Sequence, residues 1–340
     1  MPQCRRRAWA ATAEKKLIGM ASVVTFYRFV VISEPDALRL TITSLCEQHG
    51  LVGTALIASE GLNATLAATA RSDLEAFIVE LGKDVRFKDL NCKWSSSTGD
   101  NAVFDRLKVR TRPEIVSFGK EYQTSCAPGP RVGAEEWNAL IESPDVTVID
   151  ARNTYETEIG KFPNAVIPGT KSFRDFPDFV DRELDPSTHS KLALYCTGGI
   201  RCEKAVQFLN GRGFEHIYQL DGGILNYLAN VDAAHNRWSG QCFVFDQRVA
   251  LDSHLRQGSY DQCHACRRPI SASDKRSKHY RFGVSCARCI DETSPEQKDG
   301  FRERERQEEL ARNRGRRHVG ASQRVATKLL LDSSEHRSKH

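Results

Sequence analysis

The run Tyr195-Cys196-Thr197-Gly198-Gly199-Ile200-Arg201-Cys202-Glu203-Lys204 sets a cysteine at the head of a glycine turn with an arginine close behind. That combination can make a reactive thiolate. A free thiol titrates near 8.5, roughly, and converging backbone N–H groups plus a cation at Arg201 are expected to bring Cys196 below neutral. Thr197 to Arg201 would form the cradle around its sulfur. A second cysteine site lies downstream. Cys263-His264-Ala265-Cys266 and Cys286-Ala287-Arg288-Cys289 are paired CxxC knuckles with nineteen residues between them, the spacing of a closed zinc site. Four thiolates leave no open position on the metal, so zinc there is expected to be structural. His264 and His279 are alternative ligands.

The reactive loop needs a strand to deliver it and a helix to receive it. Leu192 to Tyr195 reads as a short buried strand, and Ala205 to Leu209 continues with helical spacing. Strand-like and helix-like runs alternate from Val132 to about residue 235, which predicts a parallel α/β sheet with the loop at a strand's carboxyl end. Upstream, Val23 to Val30, Pro35 to His49, Val52 to Ala58, Leu62 to Ala67 and Ser72 to Leu81 read as strand, helix, strand, strand and helix. With a last strand near Leu107 to Arg112, the order is βαββαβ, a ferredoxin-like unit. The turn Glu60-Gly61-Leu62-Asn63 and the open sheet face could hold nucleic acid, or the turn could simply close a hairpin.

The loop resembles the active-site loop of the rhodanese family, in which a cysteine carries a persulfide sulfur. Val146-Thr147-Val148-Ile149-Asp150-Ala151-Arg152 resembles that family's entry strand and its Asp-x-Arg signature. Asn164 to Gly169 and Leu220-Asp221-Gly222-Gly223-Ile224 resemble its later turns, in the right order. Four residues separate Cys196 from Arg201, as in sulfur carriers, whereas cysteine phosphatases of similar architecture have five. Asp150 and Arg152 are expected to support the loop as an ion pair. Cys202 is either a resolving thiol for an oxidised Cys196 or a small buried residue at a helix start.

At 340 residues there is room for several domains. The expected division is a basic extension over 1–20, a ferredoxin/acylphosphatase-like domain over 21–124, a rhodanese domain over 131–235, a CxxC…CxxC segment over 240–295 and a charged tail over 296–340. Met20 precedes a strand-like run, so residues 1–19 could alternatively derive from an upstream start. Eleven cysteines, an odd number, favour thiols that act as ligands and nucleophiles in a reducing compartment. With no apolar run approaching a bilayer's thickness, the reading is a cytoplasmic protein without membrane contact. Residues 301–340 carry eleven Lys/Arg against six Asp/Glu, and residues 1–20 five against one. Basic ends on an acidic body suit RNA, although basic tails are also simply solvated.

Taken whole, the order of units resembles the bacterial rhodanese-like tRNA uridine 5-hydroxylases, through Ala58-Ser59-Glu60-Gly61-Leu62-Asn63-Ala64-Thr65-Leu66, the Cys196 to Lys204 run and the CxxC-bearing end. The resemblance covers roughly residues 21 to 290. It implies O₂-dependent hydroxylation at C5 of the wobble uridine, position 34 of tRNA, with Cys196 essential, tRNA rather than DNA as partner and a separate electron donor. No flavin, haem or nicotinamide motif is present in the sequence, and the reductant is unassigned. Cys196 would add to C6 of the uracil or carry a persulfide. The alternatives are a rhodanese-type sulfurtransferase or persulfide carrier, and a non-enzymatic RNA-binding or redox-sensing protein.

Overall fold

A computed structural model describes residues 21–97, 103–119 and 129–314, and two compact units divide the chain between Ser259 and Tyr260. The basic extension, residues 120–128 between the two expected domains, and the tail beyond residue 314 lie outside the described residues.

The first unit begins with β1 (Ala21–Phe29), α1 (Pro35–Gln48), β2 (Val52–Ala58), β3 (Gly61–Ala68), α2 (Arg71–Leu81), β4 (Lys93–Ser97) and β5 (Leu107–Thr111), in the sheet order β4-β1-β3-β2-β5. Strand alternation separates its two faces. Val24, Phe26, Ala55, Ile57, Leu62 and Leu66 turn inward to Leu38, Ile42, Leu74 and Phe77 on the two helices. The other face carries a polar row, because Thr65 is paired with Thr25 on one side and Thr54 on the other.

The ferredoxin-like order stands, but its last strand was misplaced. The strand that completes the unit is Lys93–Ser97, antiparallel to β1 at the edge away from β3, and Leu107–Thr111 is an added fifth strand, parallel to β2 at the opposite edge. Lys-Trp-Ser-Ser-Ser hides its period because the buried positions at its two ends are Lys93 and Ser97. Lys93 tolerates burial by standing 4.7 Å from the Tyr27 ring centroid and donating to the Asn91 carbonyl at 3.1 Å.

Next come β6 (Arg131–Val132), α3 (Ala134–Glu142), β7 (Val146–Asp150), α4 (Thr154–Thr157), β8 (Gly160–Lys161), α5 (Phe176–Glu183), β9 (Lys191–Tyr195), α6 (Ile200–Asn210), β10 (His216–Leu220) and α7 (Gly223–Asn230). The strands β6-β10-β9-β7 form a parallel sheet. Leu192 and Leu194 of β9 face a core built with Phe176, Phe179, Val206 and Leu209 of α5 and α6. Ala193 and Tyr195 face Trp137, Ile141, Leu225 and Leu228 of α3 and α7 on the other side. Burial on both faces explains why the strand reads as one apolar run. The short β11 (Ser239–Gly240) pairs with β8, and β12 (Cys242–Phe243) pairs with β13 (Ala250–Leu251).

The second unit holds β14 (Asp261–Gln262), β15 (Pro269–Ile270), α8 (Ala272–Lys275) and α9 (Pro295–Asn313). Its small core is Cys263, Ile270, Cys286 and Cys289. None of the helices described is long and apolar enough to cross a membrane.

Candidate active site

Cys196 follows β9 directly and is fully buried. The chain then curls through Gly199, whose φ of +96° is a left-handed conformation that a side chain would strain. That curl aims the Gly199 N–H at the Cys196 sulfur, 3.1 Å away. The neighbouring β10–α7 turn locks the curl. Ile224 N–H donates to the Cys196 carbonyl at 3.0 Å and Leu225 N–H to the Thr197 carbonyl at 3.1 Å. A Cβ on Gly223 would lie 2.4 Å from that same Cys196 oxygen, so only glycine permits the approach.

Burial pushes the Cys196 thiol up, yet the balance falls to about 5 through a hydrogen bond from the Cys202 thiol, the Arg201 charge and the amides of Cys202 and Arg201. Cys202 moves the other way. Burial first, and then its hydrogen bond and proximity to Cys196, hold its thiol well above the ordinary range. One sulfur is a thiolate at neutral pH and its neighbour is the proton donor to it.

Arg201 is not a free cation beside the sulfur. Its guanidinium grips Glu156 of α4 with bonds of 2.6 and 2.8 Å, and reaches the Thr197 hydroxyl at 3.3 Å. Glu156 is itself fully buried and its other contacts include the Asn153 N–H at 3.1 Å and the Thr197 hydroxyl at 3.3 Å. Burial alone would raise its carboxyl, but Arg201 outweighs that and holds it ionised. Behind this pair, Arg152 bonds Asp150 at 2.6 and 2.8 Å, the Gly160 carbonyl at 2.7 Å and the Glu156 carbonyl at 3.3 Å. Both side chains of the Asp150–Arg152 pair are completely buried. Asp150 and Arg152 thus touch the support of the loop and not the sulfur.

The two residues after Cys202 reach across to the N-terminal sheet. Glu203 accepts from the Tyr27 hydroxyl at 2.6 Å and from Arg131 at 2.5 Å. Lys204 is buried between Glu60 at 2.9 Å and Glu114 at 2.8 Å, and also donates to the Val116 carbonyl at 2.9 Å. Glu60 in turn accepts the Ile115 N–H at 2.7 Å, while Asn63 donates to the Ile115 carbonyl at 3.0 Å. The Glu60-Gly61-Leu62-Asn63 turn therefore receives Lys204 and the chain leaving the sheet. Glu60 and Asn63 are engaged in that docking.

A cavity of about 690 Å³ opens between the loop and the sheet. Cys196, Thr197 and Gly198 line one wall; Thr25, Tyr27, Thr54 and Thr65 line the opposite one. Phe245, from the turn between β12 and β13, stands at its edge.

A family model described as "UPF0176 acylphosphatase like domain" matches residues 21–115, and one described as "Rhodanese-like domain" matches residues 133–230. A protein of Teredinibacter turnerae named tRNA uridine(34) hydroxylase is 45% identical over 299 residues, 88% of this chain and 92% of that protein. The chain belongs to the tRNA uridine(34) hydroxylase family. Among solved structures, the rhodanese-like domain of an Anabaena protein is 24% identical with a TM-score of 0.28, covering 33% of this chain and 79% of that one. A rhodanese-related protein from Thermoplasma volcanium is 23% identical with a TM-score of 0.24, covering 29% and 91%.

In this family member the second cysteine site is built to a different plan. The sulfurs of Cys263, Cys266, Cys286 and Cys289 all lie within 4.8 Å of one another, with Cys266–Cys286 at 3.8 Å and Cys286–Cys289 at 3.7 Å. Zinc–sulfur bonds of about 2.3 Å in a tetrahedron put sulfurs close to that separation, so the four fit one such ion. His264 lies against the Phe282 ring, 5.1 Å between centroids, and falls outside the cluster of four; His279 is outside it as well.

Sequence reasoning missed Glu156 and Tyr27. Thr154-Tyr155-Glu156-Thr157 carries no local mark of burial, and only the fold brings it to Arg201. A signal for Tyr27 exists in hindsight: it is a large aromatic on the polar face of β1, two positions from Thr25.

Proposed function

We propose that this chain hydroxylates C5 of the uridine at position 34 of tRNA, forming 5-hydroxyuridine, with Cys196 as the nucleophile. Near full-length likeness to a tRNA uridine(34) hydroxylase supports the reaction class. The observation that carries the assignment to this site is the 690 Å³ cavity, which sets a buried cysteine opposite a polar sheet face with room for a nucleotide. A sulfurtransferase needs space only for a small sulfur donor, so the cavity favours the hydroxylase.

The Cys196 thiolate forms a bond to C6 of the uracil, and the C5=C6 electron pair moves onto C5 and the O4 carbonyl. C5 then takes one oxygen atom derived from O₂. The other oxygen leaves as water, using an electron pair and protons from a separate donor. Loss of the C5 proton expels the thiolate and restores the C5=C6 bond. Gly199 N–H and the Cys202 thiol hold the sulfur as an anion before attack and as a leaving group afterwards. Arg201 and Glu156 keep the loop in the shape that makes this possible, with Asp150 and Arg152 beneath them.

The Cys263, Cys266, Cys286 and Cys289 set would be closed by a structural zinc ion, stabilising a segment too small to fold on its own core. A cytoplasmic location is part of the same proposal, supported by the RNA substrate and by the free thiols.

Nucleoside mass spectrometry tests the assignment, on tRNA from a deletion strain complemented with the wild-type chain or with Cys196→Ala. The wild type is expected to restore 5-hydroxyuridine and the variant to leave it at background. Equal levels with both would remove Cys196 from the reaction.

A further inference from the structure

The polar sheet face and the cavity rim have no part in the chemistry of the sulfur, and their residues are arranged for a ligand of a definite kind. Among the described residues, six charged ones line the cavity: Arg112, Glu114, Arg174, Arg201, Asp246 and Arg248. Four are already paired inside the protein. Glu114 holds Lys204, Arg201 holds Glu156, and Arg248 holds Asp246 at 2.6 Å. The remaining two, Arg112 and Arg174, are exposed, and among the described residues neither guanidinium has a partner. Among the described residues the cavity therefore offers two unmatched cations and no unmatched anion, a charge pattern suited to phosphates.

Phe245 adds an independent feature. It is 65% exposed, one of the few large apolar side chains so placed, and it sits on the cavity rim. Phe243 meets it edge-on at 5.1 Å and 85°, and the Arg201 guanidinium lies 5.8 Å from its centroid. An open aromatic face on the rim of a cavity that also holds unpaired cations is how single-stranded RNA is gripped, since any base can stack on it.

Across the cavity, hydroxyls replace apolar side chains on three adjacent strands. The Thr25 and Thr65 hydroxyls are 3.1 Å apart, with Thr54 paired to Thr65 on the other side. Hydroxyls both donate and accept, which matches the alternating carbonyls and N–H of a uracil edge.

We propose that this cavity is the seat of the anticodon loop: the target uracil lies against Thr25, Thr65 and Thr54, a neighbouring base stacks on Phe245, and Arg112 and Arg174 take flanking phosphates. This rests on the functional reading above and names the residues through which that reading engages RNA. The phosphate contacts set affinity and salt dependence, while stacking and the hydroxyl row place the base.

The test is equilibrium binding of a uridine-34 anticodon stem-loop to the full chain at several salt concentrations, with 5-hydroxyuridine in tRNA followed in complemented cells. Phe245→Ala is expected to weaken binding by about 10-fold, the scale of one lost base stack, with Phe245→Trp restoring it and Phe245→Leu failing to. Arg112→Ala with Arg174→Ala is expected to flatten the log Kd against log salt slope by about 1.4, for two phosphates of single-stranded RNA. All three positions are exposed, so the fold tolerates these changes. Wild-type affinity and slope in both sets of variants would overturn the seat, as would a wild-type chain that does not bind the stem-loop at low salt. A chain that binds through these residues but yields no 5-hydroxyuridine would instead overturn the functional reading.

Discussion

Cys196 and the Cys263 to Cys289 cluster are two uses of one residue type, and their surroundings separate them. At Cys196 a single buried sulfur meets backbone amides, a neighbouring thiol and a guanidinium, and one side of the loop faces a cavity. In the cluster four sulfurs face each other at 3.7 and 3.8 Å between measured neighbours, in a core of their own. Donors arranged around one sulfur stabilise a lone anion that can attack. Sulfurs arranged around one another accumulate negative charge that only a cation between them relieves. Spacing in the sequence distinguishes the two plans, and the fold supplies what each still lacks: Glu156 and Cys202 at the first, close approach of the two knuckles at the second.

The largest break in that comparison is expected from Cys263→Ser. Loss of one of four sulfur ligands should abolish zinc retention, and new protease cuts should appear within residues 260–314, because metal binding there is coupled to folding. Metal content and limited proteolysis read this, and the Cys196 thiolate should titrate unchanged. Retained zinc with an intact fragment would remove the ligand role.

Glu156→Ala comes next. It leaves Arg201 as an uncompensated buried charge, a defect of the kind that costs roughly 3–5 kcal/mol. Denaturant unfolding of the wild type and variant gives the difference, and a loss below about 1 kcal/mol would mean that the pair does not hold the loop.

The effect that is smallest per step, when read one pH unit at a time, sharpens the contrast through pH. The folded Cys196 thiol titrates at about 5 against an ordinary value of 9.0, so between these values the unfolded chain carries a proton that the folded chain lacks. This contribution is therefore complete above pH 9, declines as pH falls and is gone below about 5. The wild type should gain on Cys196→Ser by up to about 1.4 kcal/mol per pH unit within that window. Parallel stability profiles for the two proteins would show that the cradle does not hold a thiolate.

The parts of this molecule legible in its sequence are those whose signals are local. Strand, glycine turn and helix follow one another around Cys196, and both CxxC pairs are contiguous, so residue order alone exposes them. The fourth strand is hidden because Lys93 and Ser97 occupy positions where apolar residues are expected, and the ring that helps Lys93 tolerate burial, Tyr27, is far away in sequence. Glu60 reads as a turn residue, and nothing near it announces Lys204. Glu203 and Lys204 look like an extension of the loop motif, while their partners Tyr27, Glu60 and Glu114 belong to the preceding domain. Pairings across such separations are properties of the assembled fold, as is the unmatched charge at the cavity rim.

The most direct measurement is hydrogen exchange at C5 of uridine 34 in deuterated water, without O₂, using the stem-loop and the purified wild-type chain or Cys196→Ser. Addition of the thiolate to C6 makes C5 basic, so the wild type is expected to place deuterium there and the variant to place none. A wild-type chain that hydroxylates the same uridine once O₂ and a reductant are supplied, yet leaves its C5 hydrogen unexchanged, would contradict the nucleophilic role of Cys196.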